Sequence, residues 1–431
     1  MIRKSIIGIA ILCGFASCNH DKRIIVEKSF VDSLINNYKQ PEVQRINESE
    51  IKFWGDRINP NNPGFTNEVR YAGALATRFS LLGDINDIKS SDRVLLQVDS
   101  VYNHKEPGPN MAMALHAITQ HQFNKADSLL NVAKNIGIKK YDSYATSFDV
   151  DFELGRYDLA SNDLKNIRSN TDYGYLFRLS KLLHYKSNID SSIAAMLSAA
   201  KYAGTIVAIK QPALSNAADL SIHAGRLQQA YDLYVSSVRL SAADLHSILG
   251  IGWIALVHDK NDSLAEKIFQ FVQSKTKLPD PLFKLMQVAE FRNDSIPEKK
   301  YADEFVSMVT DSLHGNMYNK YLIELYTGIL NEPAKAESLA RKELQNRATP
   351  QTYAWYVWSL FANNKKEEAY NNYEKFVSGK PLEGLELYWM GKLMQGLNKG
   401  YNAQQFFKAA EKNRYDLSPD KVKDLEKDLE E

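Results

Sequence analysis

The chain has 431 residues, of which 44% are hydrophobic and 24% are charged, as in an ordinary folded protein. Its 53 Lys and Arg residues nearly balance its 52 Asp and Glu residues, which gives a formal net charge of +1. A charge this close to zero argues against a broad field for nucleic acid or for an acidic surface, so we expect no nucleic-acid partner. The low content of glycine and proline argues against long disordered segments.

The first 17 residues have the three regions of an export signal, in the correct order. Arg3 and Lys4 form a basic start, and residues 6–15 form an apolar run. The run is too short to cross a bilayer, which takes roughly 20 residues. The small residues Ala16 and Ser17 follow it. The pattern therefore predicts that the protein is exported.

Cys18 comes directly after these small residues, and the stretch resembles the lipobox of bacterial lipoproteins. The resemblance implies that residues 1–17 are removed as a signal peptide and that Cys18 is then acylated, for example with palmitate. Phe15 departs from the leucine-like residue usual at its place. Two alternatives remain: ordinary signal cleavage, for example after Ala16, and an uncleaved, buried apolar segment. Asn19 is not the aspartate that favours inner-membrane retention, so we expect a lipid-anchored protein of the outer membrane.

The lipoprotein interpretation accounts for both cysteines of the chain. Cys13 falls in the removed signal and Cys18 becomes the acylated N-terminus. The mature chain then has no free thiol and no possible disulfide, so its stability has to come from packing.

Residues 18–65 are predicted to contain the lipidated N-terminus, a tether and a short helix. Helical periodicity extends over VEKSFVDSLINNY, residues 26–38. The stretch INPNNPG, residues 58–64, is a strong turn signal that ends this segment. We expect Trp54 to pack on the structure that follows rather than to bind a ligand.

From residue 66 onward, apolar residues recur at three- and four-residue spacing in segments of about a dozen residues. Short polar turns separate the segments, and most turns end in a small residue at a fixed place. These small residues are on average about 34.6 residues apart. In chain order they are Ala126, Ala160, Ser192, Ala230, Ala265, Ala302, Ala336, Ala369 and Ala403.

A period of 34 residues made of two helices is the signature of the tetratricopeptide repeat. The best copy covers residues 351–381, with Tyr356 on its first helix, Ala369 on its second and Pro381 at its end. The sequence resembles this family over residues 66–415. The resemblance implies an all-α protein, an α-solenoid of about nine to ten helix-turn-helix repeats wound into a right-handed superhelix.

The last segment, residues 416–431, is predicted to be a C-terminal capping helix. Ser418 suits the N-cap position and Pro419 suits the first turn. Val422 and Leu425 share one side of this helix. A polar helix of this kind covers the open end of a solenoid and keeps it soluble.

No catalytic or metal-binding motif stands out in the sequence. It has no phosphate-binding glycine loop, no GxSxG and no HExxH. His116 and His121 are five residues apart, so they diverge around a helix instead of holding one metal ion. We therefore expect no catalytic residue, no metal and no cofactor. A cryptic enzyme is the third-ranked and unsupported alternative.

A first candidate binding surface follows from the resemblance, which implies that the first helix of each repeat lines the concave face. That phase gives Arg178, Lys181 and His184 in one repeat, next to Asp149 in the repeat before it. The mixed charges suit a polar peptide or another protein. The alternative is that neighbouring repeats pair these charges with each other.

A second candidate lies near the C-terminus, where the same phase produces an aromatic strip. Aromatic residues are favoured at interface centres, although a repeat core uses them too. We expect two or three of these rings to be exposed. The strip consists of Trp355, Trp358, Phe361, Tyr388 and Trp389, with Lys392 at its edge.

Taken together, the sequence predicts a non-catalytic, lipid-anchored envelope protein that acts as a protein–protein interaction scaffold, with a protein or peptide as its partner. The alternative is glycan capture, because outer-membrane nutrient-binding lipoproteins of the SusD type also carry tetratricopeptide helices beneath a lipobox. Their sugar site lies on a large non-repeat portion, for which the repeats leave no room here. An aromatic platform could still bind a sugar.

Overall fold

The computed structural model describes residues 24–59, 61, 63–310 and 313–430. The predicted signal peptide and the predicted lipidation site, Cys18, lie outside these residues. Within the described ranges, all regular elements are helical, as the sequence predicts. None of the described helices combines the length and the apolar character that a membrane span requires.

Two helices precede the repeats: α1 (Lys28–Asn36) and α2 (Glu42–Gly55). The first lies within residues 26–38, where the sequence predicts a short helix, and the second was not predicted. Asn47 on α2 is 1% exposed, and its side-chain amide donates to the carbonyl oxygen of Ala74, 2.8 Å away. This bond ties α2 to the helix that follows it.

The repeat region consists of ten consecutive helical hairpins, numbered here in chain order, in which the two helices of each hairpin pack on each other. The first five are α3 (Thr66–Leu82) with α4 (Ile85–Val101), α5 (Pro107–Thr119) with α6 (Phe123–Ile136), α7 (Lys140–Glu153) with α8 (Tyr157–Asn166), α9 (Tyr173–Tyr185) with α10 (Ile189–Tyr202), and α11 (Val207–His223) with α12 (Leu227–Leu240). The second five are α13 (Leu245–Val257) with α14 (Asp262–Gln273), α15 (Asp280–Phe291) with α16 (Ser295–Val309), α17 (Asn319–Thr327) with α18 (Pro333–Asn346), α19 (Pro350–Ala362) with α20 (Lys366–Phe376), and α21 (Gly384–Gly396) with α22 (Gly400–Lys412).

The small residues predicted at a fixed place lie where the two helices of a hairpin meet. Eight of the nine are 0% exposed, and Ala403 is 3% exposed. Each is the fourth residue of its second helix, except Ala302, because α16 begins one turn earlier. A small side chain here lets the paired helices approach closely. Where serine replaces alanine, the hydroxyl groups of Ser192 and Ser180 lie 2.9 Å apart and remain hydrogen-bonded.

Each hairpin turn contains a residue with a positive φ angle, which reverses the chain within a few residues. Glycine adopts this left-handed conformation freely, and asparagine tolerates it better than most residues do. In chain order the residues are Gly83, His121, Gly155, Ser187, Gly225, Lys260, Asn293, Asn331, Asn364 and Asn398.

The solenoid winds tightly enough for distant hairpins to meet. The side chain of Gln120 donates to the carbonyl oxygen of Leu313, 193 residues away, at 2.7 Å. The side chain of Asn346 donates to the carbonyl oxygen of His121, 225 residues away, also at 2.7 Å. At 34 residues per repeat, these separations correspond to about six hairpins per superhelical turn. The first helices therefore surround a common interior.

The C-terminal helix α23 (Pro419–Glu430) does more than cover the last hairpin. Leu425 is 0% exposed, and the helix packs on both α22 and α15. The ammonium group of Lys421 lies 2.8 Å from a carboxylate oxygen of Glu324 and 3.8 Å from one of Glu290. The predicted cap thus connects the tenth hairpin to the seventh and eighth.

The described part of the predicted tether is docked on the repeats. The backbone N–H groups of Ile25 and Val26 donate to the two carboxylate oxygens of Asp259, at 3.0 and 2.8 Å. Val26 and Val31 are 2% and 1% exposed and belong to the same apolar core as α12, α13 and α14. From Ile24 onward, the chain therefore lies on the sixth hairpin and is not a free linker.

Candidate functional site

A cavity of about 940 Å³ lies inside the superhelix, and we call it the central cavity. Residues of hairpins two to five form one side of it, and residues of hairpins eight to ten form the other. The cavity exists because the solenoid closes on itself, which brings together side chains from opposite ends of the repeat region.

The side built from the earlier hairpins centres on Glu153, the last residue of α7. Its two carboxylate oxygens lie 3.1 Å from the Lys181 ammonium group and 3.2 Å from the Arg347 guanidinium group. Burial raises the pKa of Glu153, but the two cations outweigh burial and hold this pKa below its usual value. Both cations are also fixed in position by these contacts.

The opposite side centres on Glu386 in the first turn of α21, and the Glu386 side chain is 0% exposed. One of its carboxylate oxygens accepts from the indole N–H of Trp355 at 2.7 Å and from the Lys320 ammonium group at 2.9 Å. Burial alone would lower the pKa of Lys320, but Glu386 and Glu383 outweigh burial and raise it. The second oxygen of Glu386 has no hydrogen-bond partner among the described residues.

Three histidines line the cavity in different charge states. The His223 ring lies 2.7 Å from the Asp416 carboxylate. Burial lowers the pKa of His223, but Asp416 outweighs burial and raises this pKa to about 9. Burial, together with the nearby His223, lowers the pKa of His184. Burial and Arg347 lower the pKa of His121 to about 4. Near neutral pH the cavity therefore has one charged imidazole and two neutral ones.

The structure separates the charged residues of the first predicted surface. Arg178 lies 2.5 Å from Asp149 of the preceding hairpin, and Lys181 pairs with Glu153. The alternative prediction, that neighbouring repeats pair these charges, is confirmed for both residues. Lys181 and His184 line the central cavity, whereas Arg178 is not part of its lining.

The second predicted surface, the aromatic strip, is mostly buried. Trp355, Tyr388 and Trp389 are 4%, 7% and 1% exposed, so these three rings belong to the packed interior. Trp358 and Phe361 are partly exposed. Trp355 and Trp358 also face different spaces, because only Trp355 lines the central cavity.

Helix α23 covers the Tyr388 end of the strip. The phenolic O–H of Tyr388 donates to the Asp424 carboxylate at 2.6 Å. The Lys392 ammonium group lies 2.6 Å from both Asp424 and Asp428 of the same helix. Lys392 was predicted at the solvent edge of the strip, but it instead connects α21 to α23.

A smaller space of about 420 Å³ remains beside the strip, and we call it the aromatic groove. The structure brings five of the six predicted strip residues together here: Trp358, Phe361, Tyr388, Trp389 and Lys392. The Trp358 indole N–H donates to the Thr327 hydroxyl at 2.9 Å, which fixes one wall of the groove.

Several central-cavity residues were not predicted, including Glu386, Lys320 and Arg347. The stretch ELYWMGKL contained one usable signal, since a carboxylate within an otherwise apolar helix predicts a buried ion pair. The sequence around Glu386 does not indicate which residue is its partner, because Lys320 lies two hairpins earlier. Among the described residues, no group of three or more His, Cys, Asp or Glu side chains is arranged to hold a metal ion.

Comparison with known proteins gives similarities in fold. No protein-family model and no curated protein matches the chain. PilF of Pseudomonas aeruginosa is 15% identical, with a TM-score of 0.37 over 51% of this chain and 97% of that chain. A tetratricopeptide repeat protein of Parabacteroides merdae is 14% identical, with a TM-score of 0.34 over 68% and 99% of the two chains.

The Cut9–Hcn1 hetero-tetramer of the APC/C provides a longer match. It is 13% identical, with a TM-score of 0.48, and the match covers 94% of this chain and 69% of that chain. The ten hairpins themselves, with their buried small residues at a spacing near 34, define the fold. The described chain is an α-solenoid of the tetratricopeptide type.

Proposed function

We propose that this protein is a non-catalytic scaffold, lipid-anchored in the bacterial outer membrane, that binds a segment of another protein in its central cavity. The observation that carries the proposal is the cavity itself. Its volume of about 940 Å³ is near the upper end of the range of about 300–1,000 Å³ for ligand sites.

The chemistry of the cavity wall favours recognition over catalysis. Its principal charged groups hold one another in fixed positions, as Glu153 does with Lys181 and Arg347. Partly exposed rings such as Phe152 and Tyr185 lie beside these ion pairs. Fixed charges next to aromatic rings are typical of surfaces that bind polypeptides.

The lipid anchor is supported by the resemblance of the region around Cys18 to a lipobox. We expect labelled palmitate to enter the wild-type protein and not the Cys18→Ser variant, because only the thiol accepts the diacylglycerol. Equal labelling of both proteins would show that Cys18 is not the acylated residue. The fractionation of the wild-type protein between inner and outer membranes tests the proposed location.

Photo-crosslinking in living cells tests the binding role. A photoreactive phenylalanine analogue replaces Tyr185 in the cavity wall, and the control carries the analogue at Leu159, which is 55% exposed and outside the cavity lining. We expect a discrete protein adduct at Tyr185 and none at Leu159. No adduct, or the same adducts at both positions, contradicts the proposal. Binding of soluble glycans without a protein adduct would favour glycan capture instead.

A further inference from the structure

Two carboxylate groups in the central cavity have unsatisfied oxygens. One oxygen of Glu386 and one oxygen of Asp416 are buried without a hydrogen-bond partner among the described residues, and both residues line the cavity. The Glu386 side chain is 0% exposed, and the Asp416 side chain is 12% exposed. A buried carboxylate oxygen without a donor is costly, and a charged donor satisfies it best.

The two groups lie at the same end of α21. A methyl group built on Gly384, the first residue of α21, would lie 3.0 Å from the unsatisfied oxygen of Asp416. Glu386 is two residues further along the same turn. Glu383, directly before the helix, also lines the cavity, and its side chain is 44% exposed. Three carboxylates therefore surround the start of one helix.

Two cations partly neutralise this group of carboxylates. Lys320 contacts Glu386 at 2.9 Å and Glu383 at 3.6 Å, and His223 contacts Asp416 at 2.7 Å. With both cations charged, these five side chains together carry one negative charge in excess. Lys412 also lines the cavity, but its side chain is exposed and forms no ion pair with these carboxylates among the described residues.

Aromatic rings also line the central cavity. Tyr185 and Tyr321 line the same cavity, and Tyr321 is 36% exposed. The alkyl part of a long basic side chain packs well on such rings while its charged end reaches a carboxylate. A neutral hydroxyl group could donate to the same oxygens, but it would not compensate the excess negative charge.

We propose that the central cavity recognises a lysine or arginine side chain of the bound protein segment, whose cationic group donates to the unsatisfied oxygens of Glu386 and Asp416. The inference rests on the proposed function and names the chemistry of its ligand. The lysine ammonium and the arginine guanidinium are both long-stemmed donors that fit this description.

The test uses the full-length lipoprotein in detergent and a random heptapeptide phage library as the probe. We expect the selected peptides to share a lysine or arginine. Replacing that residue by neutral norleucine or citrulline should weaken binding tenfold or more. Glu386→Gln and Asp416→Asn should each weaken binding of the basic peptide about tenfold and remove its advantage over the neutral peptide.

The control variant is Glu324→Gln, which alters an ion-paired carboxylate in the aromatic groove and should leave peptide binding unchanged. If Glu386→Gln loses helix content, Asp416→Asn decides the question, because its remaining side-chain oxygen can still face His223. Selected peptides without a basic residue, or an advantage of basic over neutral peptides that survives in folded variants, overturn the inference.

Failure of this inference is distinguishable from failure of the proposed function. Mass spectrometry of the adduct formed at position 185 identifies the segment of the partner that enters the cavity. An adduct whose segment has no basic residue overturns the inference and leaves the scaffold role intact. The absence of any adduct at this position contradicts both.

Discussion

The indole rings of Trp358 and Trp389 lie almost parallel, with centroids 5.6 Å apart and planes inclined by 4°. Trp389 is 1% exposed, whereas Trp358 is partly exposed. We expect Trp389→Ala to lower the free energy of unfolding by about 3–5 kcal/mol, as truncation of a buried ring does. Trp358→Ala removes the ring contact and one hydrogen bond, and we expect it to lower the free energy of unfolding by about 1–2 kcal/mol. Hydrogen exchange in α19 to α22 measures both losses, and equal losses would contradict this ranking.

Ala369, which is 0% exposed, tests the helix–helix contact within a hairpin. Ala369→Arg should destabilise the ninth hairpin, because overpacking costs about 1–3 kcal/mol and a buried charge adds to this. Hydrogen exchange should rise first in hairpins eight to ten, since each hairpin packs mainly on its neighbours. Asn371→Arg on the exposed side of the same helix is the matched control and should change little. Unchanged protection in the Ala369 variant would mean that the contact adapts to the larger side chain.

His223 should make the folded protein less stable at alkaline pH. Its folded-state pKa of about 9 is above the ordinary value of 6.5, so its ion pair with Asp416 stabilises the fold fully below pH 6.5. This contribution, at most about 3 kcal/mol, is lost as the pH rises through 9. The Tm advantage of the wild type over His223→Asn should therefore shrink between pH 6 and pH 9.5. A constant difference would show that the ring is not charged in the folded state.

His121 should make the folded protein less stable at acidic pH. Burial and Arg347 lower its pKa to about 4, so the neutral ring favours the fold above pH 6.5. This contribution, at most about 3 kcal/mol before solvent screening, is lost as the pH falls through 4. His121→Asn keeps a residue that tolerates the φ angle of 52° at this turn. Relative to this variant, the wild type should lose Tm between pH 7 and pH 4, and a parallel pH dependence of the two proteins would contradict the assignment.

The repeats could be predicted from sequence because their signals are local. Ala126 and Ala369 belong to a series with one regular spacing. Each is required by its own hairpin, where a small side chain lets the two helices approach, and this requirement does not depend on distant residues. Asn364 and Asn398 occur in turns that need a positive φ angle. Patterns of this kind repeat along the chain and remain visible even where individual copies are degenerate.

The contacts that build the candidate site had no such signal. Lys320 and Glu386 meet across two hairpins, and His121 meets Asn346 after one superhelical turn. Their partners depend on how tightly the solenoid winds, which is the sum of small rotations between successive hairpins. From the sequence, Tyr388 is expected to be an exposed interface residue. In the structure α23 packs over it, and its hydroxyl group donates to Asp424.

Helix α2 went unpredicted for a different physical reason. Its buried position is occupied by a polar residue, Asn47, which is satisfied by the carbonyl oxygen of Ala74. Apolar periodicity cannot identify a helix whose innermost residue is an amide.

The docking of Ile25 and Val26 on Asp259 determines where mechanical load would enter the molecule. Five residues lie between Cys18 and Ile24, and the six steps along the backbone, at about 3.5 Å each, reach at most about 21 Å. An acylated Cys18 would therefore suspend the solenoid near its middle, at the sixth hairpin, close to the bilayer. Tension between membrane and partner would pull on the short docked segment first and would not peel hairpins from either terminus, so both halves of the array could bend about a central support.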